Sequence, residues 1–423
     1  MSTPSLLNIP YVIKAGTLYS QIPETGAGDF AVTRVTTPTA NRSTRINADG
    51  FIELVNDNVP RLDYPLGGAV NGCAALLVEP SAVNLALQSE NFAPAAWGLV
   101  NMVAYGSGSV LDSTATRDPY GTNVADFIVP NTTLGQHRAD QTTVSAAGSY
   151  TFSVFLKSGG YDFARLRIGL AGANFNLANG TITATDTGIV SAIQSYGNGW
   201  YRCIISKAVS AANEIIRVNV ADSASAPDFQ GNGTSGLYFF GAQYETGTVA
   251  TSYIFTTTAA IARGADVIRK TSITSLIGQS EGTVYFEVEV TDEARNKWFC
   301  TLDSASNSFI QMWVNPTRQI NAQINNSGTI VVSPLASSVL AIGYHKVAFA
   351  YNTATNGCIM YVDGVQNPAT TRTVGSLGLP AFNNMTFGGY IAGITEAIKG
   401  HVRAGAGYPN RLSNSELAAL TTP

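Results

Sequence analysis

The stretch SYTFSVFLKS, residues 149–158, has an apolar side chain at every second position from Tyr150 to Leu156. Successive side chains of a β-strand point to opposite faces, so this segment is predicted to lie on a core with one face. The residues between are Thr151, Ser153 and Phe155. Similar short runs, separated by Gly, Asn, Asp or Pro, fill most of the chain and predict an all-β protein of sandwich type.

The neighbouring segments continue the pattern and place arginines on the polar face. The predicted strands are ARLRIGL (164–170), GWYRCIIS (199–206), EIIRVNVA (214–221) and SGLYFFGAQYE (235–245). In them Arg165, Arg167 and Arg217 alternate with apolar residues. Together with Lys157 and Phe155 they are interpreted as a face for acidic glycans or an acidic partner, or as a solvated or subunit-facing surface.

A second set of alternating runs begins near residue 266. The segments GTVYFEVEV (282–290), FIQMWV (309–314) and RQINAQIN (318–325) each have one apolar and one polar face. Aromatic rings with planar amides suit sugar rings and their hydroxyl groups. The outward residues are therefore candidate ligand-binding residues: Tyr285, Gln311, Trp313, Gln319, Asn321 and Gln323. The alternative is that a second layer, a neighbouring domain or a trimer partner covers this face.

Two local signals stand near the end of the chain. HKVAFAYN (345–352) and CIMYVDGVQ (358–366) are predicted to pair, and Asp363-Gly364 is a dipeptide typical of tight hairpin turns. The segment LSNSELAAL (412–420) predicts the one short helix of the chain. Its start is marked by a capping box of Ser413 and Glu416.

The composition excludes some classes of protein. Charged residues make up 12% of the 423 residues, and the net charge is −4. A nucleic-acid-binding protein would need a basic stripe, so this chain is not expected to bind nucleic acid. No apolar run approaches the roughly 18 residues of a membrane span, and residues 1–14 lack a signal-peptide pattern, so we expect synthesis in a cytoplasm and no membrane insertion.

The four cysteines do not suggest a metal site. Cys73, Cys203, Cys300 and Cys358 are far apart in the sequence. No CxxC motif or zinc spacing occurs. They are interpreted as buried free thiols, with a Cys300–Cys358 disulfide as the alternative.

Enzyme motifs are missing as well. None of His137, His345 and His401 has a nucleophile motif beside it, and no GxSxG, HExxH or P-loop pattern occurs. Glu287 and Glu289 share one face of a predicted strand and would be the pair for a glycosidase, but exposed carboxylates on a strand are usually only solvated. We therefore expect no enzyme, no catalytic residue, no metal site and no cofactor.

Several longer segments resemble known families. HKVAFAYNTATNGCIMYVDGVQ (345–366) resembles the signature of laminin-G and concanavalin-like sandwiches. NLALQSENF (84–92), GNGWYRC (197–203) and GLYFFGAQYETGTVATSYIFT (236–256) are similar to carbohydrate-binding-module-like jelly rolls of bacteriophage virion proteins. The N-terminal runs AGTLYSQIP (15–23) and RINADGFIELVNDNVPRLDYP (45–65) resemble the same phage structural proteins, of the tail-fibre or fibre-like kind.

The resemblance implies an architecture of two antiparallel sandwiches in tandem. Residues 1–83 would be a small irregular region that anchors to the particle, 84–263 a jelly roll, and 264–423 a laminin-G/concanavalin-like sandwich. In such proteins GNGWYRC begins a jelly-roll strand, so Trp200 is interpreted as scaffold, with ligand contact as the alternative. Calcium is common in both kinds of sandwich, so a structural calcium ion is a further expectation, with DSTATRD (112–118) as an oxygen-rich loop.

The resemblance also implies a function. The expected protein is a phage tail fibre or receptor-binding adhesin that recognises host surface glycans without turnover, assembled in the bacterial cytoplasm and located in the virion. Other virion proteins would be partners through the N-terminal region, and the chain would form a homotrimer. The alternatives are a capsid-associated or head-decoration fibre with a mainly structural role, and a polysaccharide depolymerase.

Overall fold

The structure is a computed structural model that describes most of the chain. The described residues are 2–10, 13–14, 16–37, 43–64, 74–93, 97–106, 116–210, 212–224, 228–291, 295–305, 307–388 and 398–423. They are almost entirely β-strand, arranged in antiparallel sheets, with one short helix near the C-terminus of the described part. This confirms the predicted all-β sandwich class.

The middle of the chain forms a sandwich, called here the middle sandwich. Its strands are β11 (Gly98–Val100), β12 (Met102–Tyr105), β13 (Asp126–Pro130), β14 (Leu134–Ser145), β15 (Gly148–Gly159), β16 (Phe163–Ile168), β17 (Ala171–Asn176), β18 (Thr181–Thr185), β19 (Ile189–Ser195), β20 (Trp200–Val209), β21 (Ala212–Ala221), β22 (Asp228–Gln230) and β23 (Gly236–Thr246). Sheet C has the order β11-β14-β21-β16-β17-β18, with β22 on β14, and sheet D has the order β12-β13-β23-β15-β20-β19. Phe152 and Val154 of sheet D and Leu166 and Val218 of sheet C meet in one apolar core, as the alternation predicts.

The N-terminal part of the chain contributes ten short strands. They are β1 (Leu6–Asn8), β2 (Ile13–Lys14), β3 (Thr17–Leu18), β4 (Phe30–Thr33), β5 (Thr36–Thr37), β6 (Ser43–Ile46), β7 (Ile52–Val55), β8 (Arg61–Asp63), β9 (Ala75–Val78) and β10 (Ala82–Asn84).

The C-terminal part contributes the remaining elements. They are β24 (Ile261–Arg263), β25 (Val267–Thr271), β26 (Glu281–Val290), β27 (Lys297–Ala305), β28 (Ser308–Val314), β29 (Ile320–Asn326), β30 (Thr329–Ala336), β31 (Gly343–Asn352), β32 (Ile359–Val362), β33 (Val365–Gln366), β34 (Asn384–Phe387), β35 (Gly400–Tyr408) and α1 (Asn414–Thr421).

Strands from both ends of the chain build the second sandwich, called here the terminal sandwich. Sheet A has the order β33-β32-β31-β26-β35-β9-β8, with β1 on β35. Sheet B has the order β2-β3-β4-β25-β34-β27-β28-β29-β30. One core lies between them, in which Phe30 and Leu76 from the N-terminal part contact residues such as Phe286 and Phe387.

This pairing differs from the expected separation of residues 1–83 and 264–423 into two units. Six N-terminal strands (β1–β4, β8 and β9) extend sheets A and B, because strands this short cannot bury an apolar face without partners. The middle sandwich interrupts the terminal one. The segments that lead into and out of the middle sandwich lie side by side, because β10 pairs with β24 and Ala82 faces Arg263. Particle anchoring by residues 1–83 stays a prediction.

The hairpin of β6 and β7 covers the outer face of sheet D. Ile46 and Ile52 pack there with Phe155, Trp200 and Phe240. The face of β15 opposite the core is therefore buried, and its polar residues Thr151 and Ser153 are buried with Phe155. Lys157 and Phe155 lie on a different sheet from the arginines with which they were grouped.

Trp200 is a scaffold residue, as interpreted. Its side chain is 1% exposed, and its indole N–H donates to the carbonyl of Arg117 at 2.6 Å. The preceding Gly197 and Gly199 have φ of 76° and 80°, which the turn before β20 requires and which glycine adopts without strain.

The two local signals near the C-terminus are confirmed. Asp363 and Gly364 join β32 to β33 with φ of 50° and 82°, as a tight hairpin of this kind needs. Ser413 is the N-cap of α1 and forms the capping box with Glu416. Cys203, Cys300 and Cys358 are free and buried, which excludes the Cys300–Cys358 disulfide; Cys73 lies outside the described residues.

Candidate functional site

Five of the six predicted ligand-binding residues come together on the outer face of sheet B. Trp313 pairs across the sheet with Asn321, and Gln311 pairs with Gln323. Gln319 stands just before β29 and donates its side-chain N–H to the carbonyl of Ser337 at 2.7 Å. The alternation of the strands therefore predicted the right neighbours.

Much of this outer face of sheet B is buried from solvent. Gln311 is 3% exposed and Asn321 is 5% exposed, while Trp313, Gln319 and Gln323 are half-buried. Trp298, on the adjacent strand, stacks with Trp313 at 6.2 Å between ring centroids. It escaped the sequence analysis because a bulge after Trp298 interrupts the alternation. What remains for a ligand is a narrow aromatic strip.

Tyr285 does not belong to this group. It lies on sheet A, on the other side of the terminal core, under Leu412 and Leu417 of the C-terminal segment. Its side chain is 7% exposed, and burial raises its pKa. The sequence pattern identified its outward direction correctly, but α1 covers that face.

A more developed site lies in a cleft between the two sandwiches. The cleft has a volume of about 400 Å³, within the range of roughly 300–1,000 Å³ typical of small-ligand sites. Three parts of the chain line it: the N-terminal strands β6–β9, the middle sandwich around β19–β20 and residues 250–253, and sheet A of the terminal sandwich. Ionisable and aromatic side chains dominate: Arg45, Asp63, Tyr64, Glu79, Tyr196, Arg202, Tyr253, Glu289, Tyr344, His401 and Arg403.

His401 is held between two carboxylates on one wall of the cleft. Its Nε2 is 2.9 Å from an oxygen of Asp63, and its Nδ1 is 2.7 Å from an oxygen of Glu289. Burial by itself would lower the pKa of His401, but the hydrogen bonds to Asp63 and Glu289 outweigh it and raise the pKa to about 10. The imidazole is therefore a fixed cation near neutral pH.

Arg403 forms a second fixed group beside His401. Its guanidinium lies 3.4 Å from the ring centroid of Tyr344, a stacked cation–π arrangement, and it reaches Glu287 at 3.4 Å. On the opposite wall Arg202 donates to Ser153 and to the carbonyl of Thr251 at 2.8 Å. Tyr196 lies beside Arg202, and burial raises the pKa of Tyr196.

A buried network of charges joins the walls of the cleft. Arg61 is ion-paired with Glu79, at 2.8 Å, and with Asp266, while Arg34 is 2.8 Å from Asp266 and Arg263 is 3.3 Å from Glu79. All five side chains are at most 3% exposed. Glu79 also accepts from the Ser252 hydroxyl at 2.6 Å, so the network ties the linkers between the sandwiches to the floor of the cleft.

Glu289, in the wall of the cleft, lacks the raised pKa of a catalytic acid. Burial opposes the ionised form of Glu289, but hydrogen bonds from His401 prevail and hold the pKa of Glu289 below its ordinary value. A glycosidase needs a carboxylic acid whose pKa is raised. Glu287, the other member of the suggested pair, lies against Arg403. The cleft presents fixed charges and aromatic rings, which suits binding.

Few of these residues could be recognised from the sequence. His401, Glu289 and Glu287 were examined only as catalytic candidates, and the arginines and tyrosines of the cleft were missed. In the sequence, Glu289, His401 and Arg403 share one signal: each is ionisable and lies on the outward face of a strand that pairs with a distant segment. That signal becomes readable only when the pairing of β9 with β35 is known.

Metal binding has no support in the described part of the chain. No group of three or more His, Cys, Asp or Glu side chains is placed to hold a metal ion there. The loop suggested for calcium, 112–118, lies mostly outside the described residues. Its last member, Asp118, accepts hydrogen bonds from Thr122 and the backbone of Tyr120 and Val124. Within the described residues, no helix is long and apolar enough to cross a membrane.

Comparisons with known proteins give distant structural likenesses. No family model matches the chain, and no curated protein matches it. The CBM40 of an IT-sialidase from Ruminococcus gnavus aligns with a TM-score of 0.28 and 13% identity over 34% of this chain and 84% of that one. A SAP-like pentraxin from Limulus polyphemus aligns at 0.28 and 12% over 33% and 68%. The NanB sialidase from Streptococcus pneumoniae aligns at 0.29 and 15% over 36% and 26%. Carbohydrate-binding modules are thus among its neighbours, but likenesses this weak support no conclusion about function.

Proposed function

We propose that this chain is a carbohydrate-binding protein that recognises a glycan in the cleft between its sandwiches and does not turn it over. The observation that carries the proposal is the convergence of aromatic rings and fixed charged groups from three parts of the chain on one concave surface. Tyrosine rings can stack on sugar C–H faces, while arginine and carboxylate groups bond pairs of hydroxyls.

The side chains of the cleft are already held in place before a ligand arrives. Arg403 is stacked on Tyr344 and His401 is fixed by two carboxylates. Groups ordered in advance lose less conformational entropy on binding, which favours affinity. The buried charge network supports the same walls from below.

A glycan array followed by calorimetry tests this proposal. Gln194, on β19 of the middle sandwich, and Arg403, on β35, line opposite walls of the cleft. Gln194→Ala and Arg403→Ala are expected to weaken binding of a selected glycan by about threefold to tenfold each, the effect of one hydrogen-bonding group. Trp313→Ala, on the outer face of sheet B, is the matched control and is expected to bind normally. Loss of binding in Trp313→Ala alone would move the site to the aromatic strip, and failure of the whole array would refute glycan recognition.

Binding without turnover has its own test. The protein is incubated with the selected glycan, and the products are analysed by mass spectrometry. We expect the glycan to be recovered intact. Cleavage that disappears in Glu289→Gln would instead assign the chain to the polysaccharide-degrading class.

The finer proposal is that the chain belongs to a bacteriophage particle, as a tail fibre or receptor-binding adhesin, with residues 1–83 directed toward other virion proteins and a trimeric assembly. It rests on the sequence resemblance. Cryo-electron microscopy of a particle that carries this chain is the test. Density at the tail tip or baseplate supports the adhesin, whereas density on the capsid or neck favours the structural alternative, a head-decoration fibre.

A further inference from the structure

The outer face of sheet C carries a concentration of positive charge. Arg138, Arg165, Arg167 and Arg217 come from three adjacent strands, β14, β21 and β16. The register places them in two rows: Asn219 lies between Arg138 and Arg165, and Arg217 lies between Asp140 and Arg167. This face is on the opposite side of the middle sandwich from sheet D, which lines the cleft.

Two carboxylates pair with three of these four arginines. Asp140 accepts from Arg138 at 2.9 Å and from Arg217 at 2.6 Å, and Asp186 accepts from Arg165 at 2.5 Å. Arg167 has no hydrogen bond and no ion pair with any described residue. Burial, and after it the neighbouring Arg165 and Arg217, lower the pKa of Arg167, while Asp186 acts in the opposite direction. Asp228 lies farther along, opposite Gln136 near the start of β14.

Asn219 is a second, independent observation that points to a ligand on this face. Its side chain is 0% exposed, and neither its amide oxygen nor its amide nitrogen has a hydrogen-bond partner in the described structure. A buried amide left unpaired costs about 1–3 kcal/mol, so such groups normally bond water or a ligand. It stands in the row between Arg138 and Arg165.

The rest of the face has the composition of a sugar site. Phe163 is half-buried and shares the outward side of β16 with Arg165 and Arg167. Asn174 lies beside Arg165 and accepts from it at 2.7 Å. An aromatic ring, amides and an unpaired guanidinium on one sheet face can take a ring, its hydroxyls and an acidic group together.

We infer that the outer face of sheet C is a second binding site, for a glycan that bears carboxylate or sulfate groups, with Arg167 as the residue that takes the anionic group. The unpaired state of Arg167 makes it available without breaking an existing ion pair. Phe163 and the asparagines distinguish a sugar from other polyanions. This site does not depend on the cleft.

Binding of the full chain to polygalacturonate, dextran sulfate and neutral dextran tests the inference. We expect one or both acidic polymers to bind and dextran to bind weakly or not at all; which acidic polymer binds identifies the anionic group. Arg167→Gln is expected to weaken that binding about tenfold, and Arg167→Lys less. Arg372→Gln, at a residue bridged to Cys358 in the terminal sandwich, removes the same charge away from the face and is expected to have no effect. Arg403→Ala, in the cleft, separates this site from the proposed one and is also expected to have no effect.

A non-sugar polyanion completes the test. Phe163→Ala is expected to weaken binding of the acidic glycan but not of polyglutamate. The inference is overturned if neither acidic polymer binds, if Arg167→Gln and Arg372→Gln behave alike, or if polyglutamate or an oligonucleotide binds as well as the glycan. Thermal melting confirms that each variant is folded. Should Arg167→Gln fail to fold, Arg167→Lys and Phe163→Ala carry the comparison, and unchanged binding in both would overturn it.

Discussion

The two sandwiches differ in how far apart in the sequence their partner strands lie. The strands of the middle sandwich all fall within residues 98–246, so each of their pairings lies within one contiguous segment of the chain. The terminal sandwich pairs β1 with β35, so that Leu6 faces Gly407, and β4 with β25. A core assembled from a contiguous segment can fold alone, whereas a core shared by two ends requires both of them.

The largest expected effect follows from separating the parts. A fragment of residues 82–263 is expected to unfold cooperatively on heating. A fragment of residues 266–423 is expected not to fold, because it lacks seven core residues of β1–β9. The loss of one large core side chain costs about 2–5 kcal/mol, whereas the free energy of unfolding of a whole domain is about 5–15 kcal/mol. Near-ultraviolet circular dichroism measures both.

A fused fragment sharpens the same comparison. Residues 1–80 joined through a short linker to residues 264–423 are expected to regain a cooperative transition, because β10 and β24 lie side by side at that point. Cooperative folding of residues 266–423 without the N-terminal strands would contradict the shared core.

The next effect concerns the buried charges at the junction. Asp266→Asn removes the carboxylate that Arg34 and Arg61 share, and breaking one partner of a buried pair typically costs about 3–5 kcal/mol. Urea unfolding is the measurement. Asp186→Asn in the middle sandwich is the matched control: its carboxylate is 38% exposed, so a loss of at most about 1 kcal/mol is expected. Equal losses in the two variants would contradict a special role for the junction.

A smaller effect depends on pH. Folding raises the pKa of His401 from an ordinary 6.5 to about 10. The stabilisation that protonated His401 gives the folded state is therefore complete below pH 6.5 and is lost as the pH rises toward 10. The melting temperature of the terminal sandwich is expected to fall across that window, and His401→Gln is expected to flatten the dependence. An identical slope in His401→Gln would show that other groups cause it.

The smallest effect is local. Ser413→Ala removes the cap of α1 and is expected to cost about 1 kcal/mol, measured by urea unfolding. Ser149→Ala, at the start of β15 in the middle sandwich, is the control and should change stability less. A cost for Ser413→Ala as large as that for Asp266→Asn would mean that the helix supports more of the terminal sandwich than its contacts with sheet A indicate.

Sequence reasoning found those features whose cause is local. The alternation in β15, β26 and β28 predicted their core faces. The residue types at Asp363-Gly364 predicted the hairpin turn, and those at Ser413 and Glu416 predicted the capping box. It also placed Arg165, Arg167 and Arg217 on outward positions of their strands. Each of these depends on chain geometry within a few residues.

Tertiary structure alone decided which outward faces remain open and which strands are neighbours. Alternation says that Tyr285 and Gln311 point away from the core, but only the packing of α1 buries Tyr285. The cleft and the row that joins Arg138, Asn219 and Arg165 arise from pairings between distant segments. The physical reason is that alternation specifies the apolar face of a strand, while the choice of partner depends on how the whole chain buries those faces together.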